Sequence, residues 1–162
     1  MSIIGIVAVD RNGAIGKGGS IPWHYSADMK FFKEQTTGHA CVMGRRTWLS
    51  LKRPLKDRLN IVLSRSADAG VRDEQQEGVV VLPDKRSVLA LAPYLSCDLY
   101  VIGGEQVYRA FENEIERWIV TEIPLSIDDA DTFMPQDFLR DFKPQRSLSL
   151  ADELKVTFYE RP

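Results

Sequence analysis

Short apolar runs alternate along this chain with segments whose apolar residues recur at helical spacing. Residues 3–9, 40–43, 59–63, 79–82, 99–102 and 118–121 are near-continuous hydrophobic runs of strand length, as expected of strands covered on both faces. Helical spacing predicts helices over roughly residues 27–36, 46–51, 85–91 and 106–111, with Ser26 placed to cap the first. After Asp131 the pattern changes: Pro135 and Pro144 punctuate, and residues 148–150 and 154–159 read as two strands joined by the polar turn Ala151, Asp152, Glu153. The expected fold class is therefore α/β. It is a single domain over residues 1–162, with a central, mostly parallel eight-stranded sheet, about four flanking helices and a C-terminal antiparallel hairpin.

Composition narrows the partners. With 21 basic and 23 acidic residues interspersed, the formal charge of −2 gives no global field for nucleic acid or an anionic membrane. Basic residues must act locally. The N-terminal apolar run is too short to span a membrane and lacks the basic flank and cleavage site of a signal peptide. A soluble, cytoplasmic protein is expected, with no sequence feature that demands more than a monomer. Cys41 and Cys97 stand alone, without CxxC spacing or nearby histidines, which suits free thiols in a reducing compartment and gives no metal site.

The most informative stretch is Gly13 to Trp23, followed five residues later by Asp28. A glycine-rich loop ends in the rigid pair Pro22 and Trp23, and the acid then enters the first turn of a helix that also carries Phe31 and Phe32. This arrangement makes an aromatic pocket with one negative charge, suited to a flat, cation-forming heterocycle. An acid in a first helical turn also serves simply to complement the helix dipole, and on the residues alone both roles stand.

Three segments suggest phosphate chemistry. Residues 16–20 resemble a P-loop, but the G-x-x-x-x-G-K-[ST] spacing fails, and the reading is rejected. Gly44, Arg45, Arg46 and Thr47 follow a strand and open a helix, where backbone N–H groups and a hydroxyl face outward; a solvated basic helix start looks the same. Gly103 and Gly104 lie between a strand and a helix, where they permit close backbone approach to a pyrophosphate or simply a tight turn. At the end of the strand over residues 59–63 stand Ser64 and Arg65, where an NAD-selective site would carry an acid. Serine and arginine suit a 2′-phosphate instead, and with Arg45 they point to NADPH.

In order and spacing these pieces resemble dihydrofolate reductase over nearly the whole chain. The matching residues are Ala8-Val9-Asp10, Ile15-Gly16, Pro22-Trp23 with Asp28 and Phe32, residues 42–48, Arg53-Pro54-Leu55, Arg58, residues 60–64, Val101-Ile102-Gly103-Gly104 with Val107-Tyr108, and Thr121. The resemblance implies NADPH-dependent reduction of dihydrofolate to tetrahydrofolate, supporting one-carbon metabolism and thymidylate synthesis. It implies that Asp28 is ionised, bonds the amino and ring-nitrogen edge of the pterin and favours its protonation through water, with Trp23 helping to hold that water and Thr121 bonding Asp28 or the pterin amino group. Ile4, Phe32 and Ile102 would line the pterin site. Leu51 and Leu55 would contact the aminobenzoyl group, Arg53 would bind the substrate, and Arg58 would be the bidentate partner of the α-carboxylate of its glutamate tail.

On the cofactor side, the resemblance implies contacts from Ile6, Ile15, Ile21, Gly44, Arg45, Arg46, Thr47, Leu63, Ser64, Arg65, Ile102, Gly103, Gly104, Gln106, Val107 and Tyr108. Residues 15–21 would form a lid, with mobility from Gly13, Gly16, Gly18 and Gly19. Three positions depart from the common pattern: Tyr25-Ser26 at the pocket entrance, Ile21 in the lid, and Glu105, whose charge falls close to where a pyrophosphate should approach. Residues 66–78 form a polar connection that does not align, so adenine contacts beyond Arg65 are not assigned. Two other classes stay open: a riboflavin-pathway reductase, which has no need of the Trp23 to Asp28 arrangement, and a non-catalytic nucleotide-binding module, which has no need of a pocket carboxylate.

Overall fold

A computed structural model describes residues 1–65 and 77–162. Strand β1 (Ile3–Val9) is buried along almost its whole length, as its unbroken apolar sequence requires of a central parallel strand. It lies between β6 (Leu99–Val101) and β7 (Arg117–Glu122), parallel to both. Beyond β6 the sheet continues through β3 (Ala40–Gly44), β4 (Leu59–Leu63) and β5 (Val79–Leu82), all parallel. Beyond β7 it closes with β10 (Lys155–Glu160) and β9 (Lys143–Ser149), which run as an antiparallel pair. The eight-stranded order is β5-β4-β3-β6-β1-β7-β10-β9, so the expected architecture is observed.

Alternation along the strands divides the core into two faces. Ile4, Ile6, Cys41, Met43, Val62 and Ile119 face helices α1 (Ser26–Thr36) and α2 (Arg45–Ser50) through Phe31 and Trp48. Ile3, Val42, Ile61, Val101 and Trp118 face α3 (Lys85–Leu91) and α4 (Glu105–Ala110) through Val88, Val107 and Tyr108. Gly5 interrupts β1 for a packing reason: a Cβ there would lie 2.5 Å from the indole of Trp118, its partner on β7.

The structure adjusts several expected boundaries. Ser26 is the first residue of α1 rather than its cap; Tyr25 takes the N-cap position and makes no side-chain capping bond. Strand β9 begins at Lys143 instead of residue 148, because its first five residues are exposed on the sheet edge and carry no apolar signal. The hairpin turn is where it was expected, with Asp152 and Glu153 both at positive φ (62° and 63°), the geometry that matches strand twist in a two-residue turn. A second sheet, β2 (Ala14–Gly16) with β8 (Thr132–Phe133), was not foreseen; its pairs are too short for periodicity to register. Cys41 and Cys97 are free thiols. Among the described residues no helix is long and apolar enough to cross a membrane, and no cluster of potential metal ligands occurs. Of the connection over 66–78, residues 66–76 lie outside the described residues, and with them the open question of adenine contacts.

Candidate active site

The C-terminal ends of the parallel strands carry most of the residues singled out in the sequence, as expected where an open α/β sheet offers a crevice. Asp28 sits in the first turn of α1, half-buried. Burial pushes its carboxyl above the ordinary value, and a hydrogen bond from the Thr121 side chain pulls back against that rise. Thr121 itself is buried on β7, in register with Ala8 and with Val156 on its two sides. One turn along α1 from Asp28 lies Phe32, partly buried, with the Arg58 guanidinium 5.9 Å from its ring centre. Leu51, Leu55 and Ile102 are partly buried and pack against the same face of the core as Ile4 and Ile6. The aliphatic residues expected around the acid, with Phe31 of α1, are therefore gathered on one side of the sheet.

The second region is a junction between β3 and β6. Gly44 N–H donates to the Gly103 carbonyl at 2.9 Å, and Ile102 N–H to the Val42 carbonyl at 3.0 Å, so the starts of α2 and α4 meet side by side. Gly103 has φ 118°, and a Cβ there would lie 3.3 Å from the Tyr108 hydroxyl. A Cβ on Gly104 would lie 3.9 Å from the Thr47 hydroxyl, and one on Gly44 3.1 Å from Val107. The Gly103-Gly104 peptide is cis. Side chains at Gly103 and Gly44 would press into Tyr108 and Val107 beneath, so glycine keeps the turn in place with its backbone free to approach a large polyanion. With exposed Arg45 and Arg46 opening α2, and Ser64 and Arg65 closing β4, the donor set fits a phosphorylated dinucleotide.

Several expected contacts are placed differently from one another. Tyr108 is buried behind the cradle, its hydroxyl donating to the Ile6 carbonyl at 2.8 Å, and burial raises its pKa. Val107 is likewise buried beneath Gly44. These two support the turn from below, while Gln106 is exposed above it. Glu105 folds along α4 onto Arg109, with Oε1 3.2 Å from both Nε and one terminal nitrogen. Arg53 is exposed on the loop before β4, and Ile21 is 65% exposed at the end of the glycine-rich segment. Trp23 is partly buried in the extended stretch leading to α1.

The glycine-rich segment is tied down more than its composition implies. Met134 N–H donates to the Gly13 carbonyl at 2.9 Å and Asp131 N–H to that of Gly16 at 3.2 Å. Gly18 N–H donates to Asp131 Oδ2, and Lys17 Nζ to the Asp128 carbonyl, at 2.8 and 2.9 Å. At its root, Asp10 is buried and accepts from the N–H groups of Asn12, Ala14 and Ile127. Sequence reading missed Asp10, Asp131, Thr36 and Asn60 as contributors. A polar residue inside or directly after an apolar run was the available signal at Asp10 and Asn60, since buried polar groups are kept only with partners.

Comparison with known proteins agrees with this arrangement. The family profile described as dihydrofolate reductase matches residues 2–160. A dihydrofolate reductase of Mycobacterium leprae is 39% identical over 141 residues, covering 83% of this chain and 82% of its own length. A bifunctional dihydrofolate reductase-thymidylate synthase of Glycine max is 40% identical over 156 residues; 86% of this chain is covered, but only 29% of that longer relative. The solved structure of Enterococcus faecalis dihydrofolate reductase complexed with NADP(H) and RAB-propyl superposes with a TM-score of 0.86 at 29% identity, covering 99% of this chain and 96% of the other. The chain belongs to the dihydrofolate reductase family.

Proposed function

We propose that this protein reduces 7,8-dihydrofolate to 5,6,7,8-tetrahydrofolate with NADPH, acting as one domain over residues 1–162, as a cytoplasmic monomer with neither nucleic-acid nor membrane partners. The observation that carries the reading is the half-buried Asp28 in the first turn of α1, a helix whose Phe31 packs on the same sheet face as Leu51, Leu55 and Ile102, on a sheet whose strand ends also hold an open glycine cradle. A lone acid in such a pocket is suited to the amino and ring N–H edge of a pterin. NADPH, when bound, supplies the hydride.

The chain's own residues do the rest. Asp28 accepts hydrogen bonds from the pterin edge and, as a carboxylate close to the ring, favours the protonated form of the substrate nitrogen. Phe32 holds the flat ring, and Leu51 and Leu55 hold the aminobenzoyl group beyond it, excluding water from that end of the pocket. Arg58 takes the terminal carboxylate. Gly44 to Thr47 and Gly103-Gly104 hold the pyrophosphate, and Arg45, Ser64 and Arg65 the 2′-phosphate. Residues 15–21 cover the reacting ring.

An absorbance assay with dihydrofolate, run with NADPH and with NADH, tests the activity. Rapid NADPH oxidation with far slower NADH use is expected. Arg65→Ala and Arg45→Ala should each weaken NADPH at least tenfold more than NADH, about the strength of one charge-assisted contact. Tight NADPH binding with no oxidation on any pterin returns the protein to the class of nucleotide-binding modules.

A further inference from the structure

The loop between α2 and β4 presents Leu55 and Arg58, yet it has no regular structure to hold it. Its rigidity comes from below. Asn60 is 1% exposed in β4, where its backbone is fixed between Cys41 on β3 and Val79 on β5. Its side-chain carbonyl accepts the Leu55 N–H at 2.9 Å, and its amide nitrogen donates to the Leu55 and Arg58 carbonyls at 3.0 and 3.1 Å, with the Gly78 carbonyl at 3.3 Å. A primary amide matches this set in only one orientation, because it must give two hydrogens to carbonyls and take one from an N–H. Both main-chain groups of Leu55 are thus fastened to a sheet strand.

Arg58 is held at its other end as well. Its Nε donates to the Lys56 carbonyl at 2.9 Å and one terminal nitrogen to the Thr36 hydroxyl at 3.0 Å. Thr36 is fully buried and donates in turn to the Phe32 carbonyl at 2.8 Å. The helix that carries Asp28 is therefore connected to the guanidinium that faces the far end of the substrate. Two of its three nitrogens are already engaged in orienting the side chain, so its direction is fixed before any ligand arrives.

We propose that Asn60 is a positioning residue that makes this enzyme selective for the carboxylated tail of its substrate, by presetting Leu55 and Arg58. This rests on the dihydrofolate reading above. Asn60 touches neither the pterin site nor the cofactor cradle, so its influence falls on tail recognition and spares the chemistry at the ring.

The test compares dihydrofolate with a 7,8-dihydropterin that lacks the aminobenzoylglutamate tail, using Asn60→Ala and, independently, Thr36→Val. For Asn60→Ala the expected result is a KM for dihydrofolate raised about tenfold, with kcat and NADPH binding close to wild type. Its kcat/KM on the tailless pterin should stay within about twofold of wild type. Thr36→Val should show a smaller loss of the same selective kind through Arg58 alone, and Asn60→Ser, which keeps a short polar side chain in β4, decides the matter should Asn60→Ala fail to fold. Equal fractional losses on both substrates, or none on either, overturn the proposal. A wild-type protein that fails to turn over dihydrofolate would instead sink the reading on which it rests.

Discussion

Asp10 and Asp28 are both withdrawn from solvent, yet burial and hydrogen bonding reach opposite balances at the two. At Asp10, burial pushes the pKa up, but three backbone N–H groups at 2.8 Å, from Ile127, Ala14 and Asn12, outweigh it and hold the carboxyl below its ordinary 3.8. At Asp28, burial is opposed by Thr121 alone, and the pKa ends above 3.8. The first carboxylate is saturated by its own chain and knots the root of the glycine-rich segment to the 124–131 connection. The second keeps acceptor capacity that the fold does not satisfy. A buried acid that the protein leaves short of donors is suited to a ligand that brings them, whereas one fully supplied with donors is structural.

Replacing each acid by its amide is the largest test of that contrast. Asp28→Asn should cut kcat/KM for dihydrofolate at least a hundredfold at pH 7, within the usual range for a group that assists proton transfer. The deficit should narrow as pH falls and the substrate arrives already protonated. Apo stability should equal or exceed wild type, because the poorly solvated charge is gone. Wild-type turnover at neutral pH would falsify the assignment.

Asp10→Asn should do the reverse. An amide has one acceptor oxygen in place of two and turns an N–H toward a donor, so stability should fall by about 2 kcal/mol. Turnover below the melting range should drop far less than for Asp28→Asn. A variant that kept its denaturation midpoint while losing activity would reverse the roles of the two acids.

How far the sequence foretold this contrast depends on what each residue's neighbours are. Asp28 was legible because its determinants are local: a helix start, Phe32 one turn on, Trp23 five residues before. Its partner Thr121 was reached only through family resemblance, since nothing around residue 121 in sequence points to residue 28. Asp10 figured in that resemblance as a matching residue without a role, because its third donor comes from Ile127, 117 residues away. The long parallel strands were readable from hydrophobic runs, whereas β2 and β8 are too short to show a period and β9 lies exposed on an edge. Asn60 stood in plain view as one polar residue in an apolar strand, but its bonds to Leu55, Arg58 and Gly78 depend on how the chain folds back.

The pH dependence of stability separates the two acids further, and its sign follows from the direction of each shift. Asp10, with a depressed folded pKa, stabilises fully above the unfolded value and loses that contribution as pH falls through the folded one. Asp28, with a raised folded pKa, contributes fully below 3.8 and loses its contribution as pH rises through the higher folded value. Urea denaturation at pH 3 and pH 7 should therefore show Asp10→Asn most damaging at pH 7, and Asp28→Asn most favourable at pH 7 relative to wild type. Matching signs in the two variants would collapse the distinction.

The smallest expected effect bears most directly on how the Asp28 site is set. Thr121→Val removes the hydroxyl that opposes burial while leaving a branched side chain in the same buried place on β7. Losing a hydrogen bond to the charged form must raise the Asp28 pKa further, so toward the acid end of the pH profile a larger share of the free enzyme carries a protonated carboxyl. The loss in kcat/KM should be largest there and shrink as pH rises to where the carboxyl ionises in both proteins. Carbon NMR of the labelled aspartate carboxyls should show the Asp28 titration displaced to higher pH and the Asp10 titration unmoved. If instead the loss were constant across pH, Thr121 would be acting on the substrate directly, and the tuning of Asp28 would rest on burial alone.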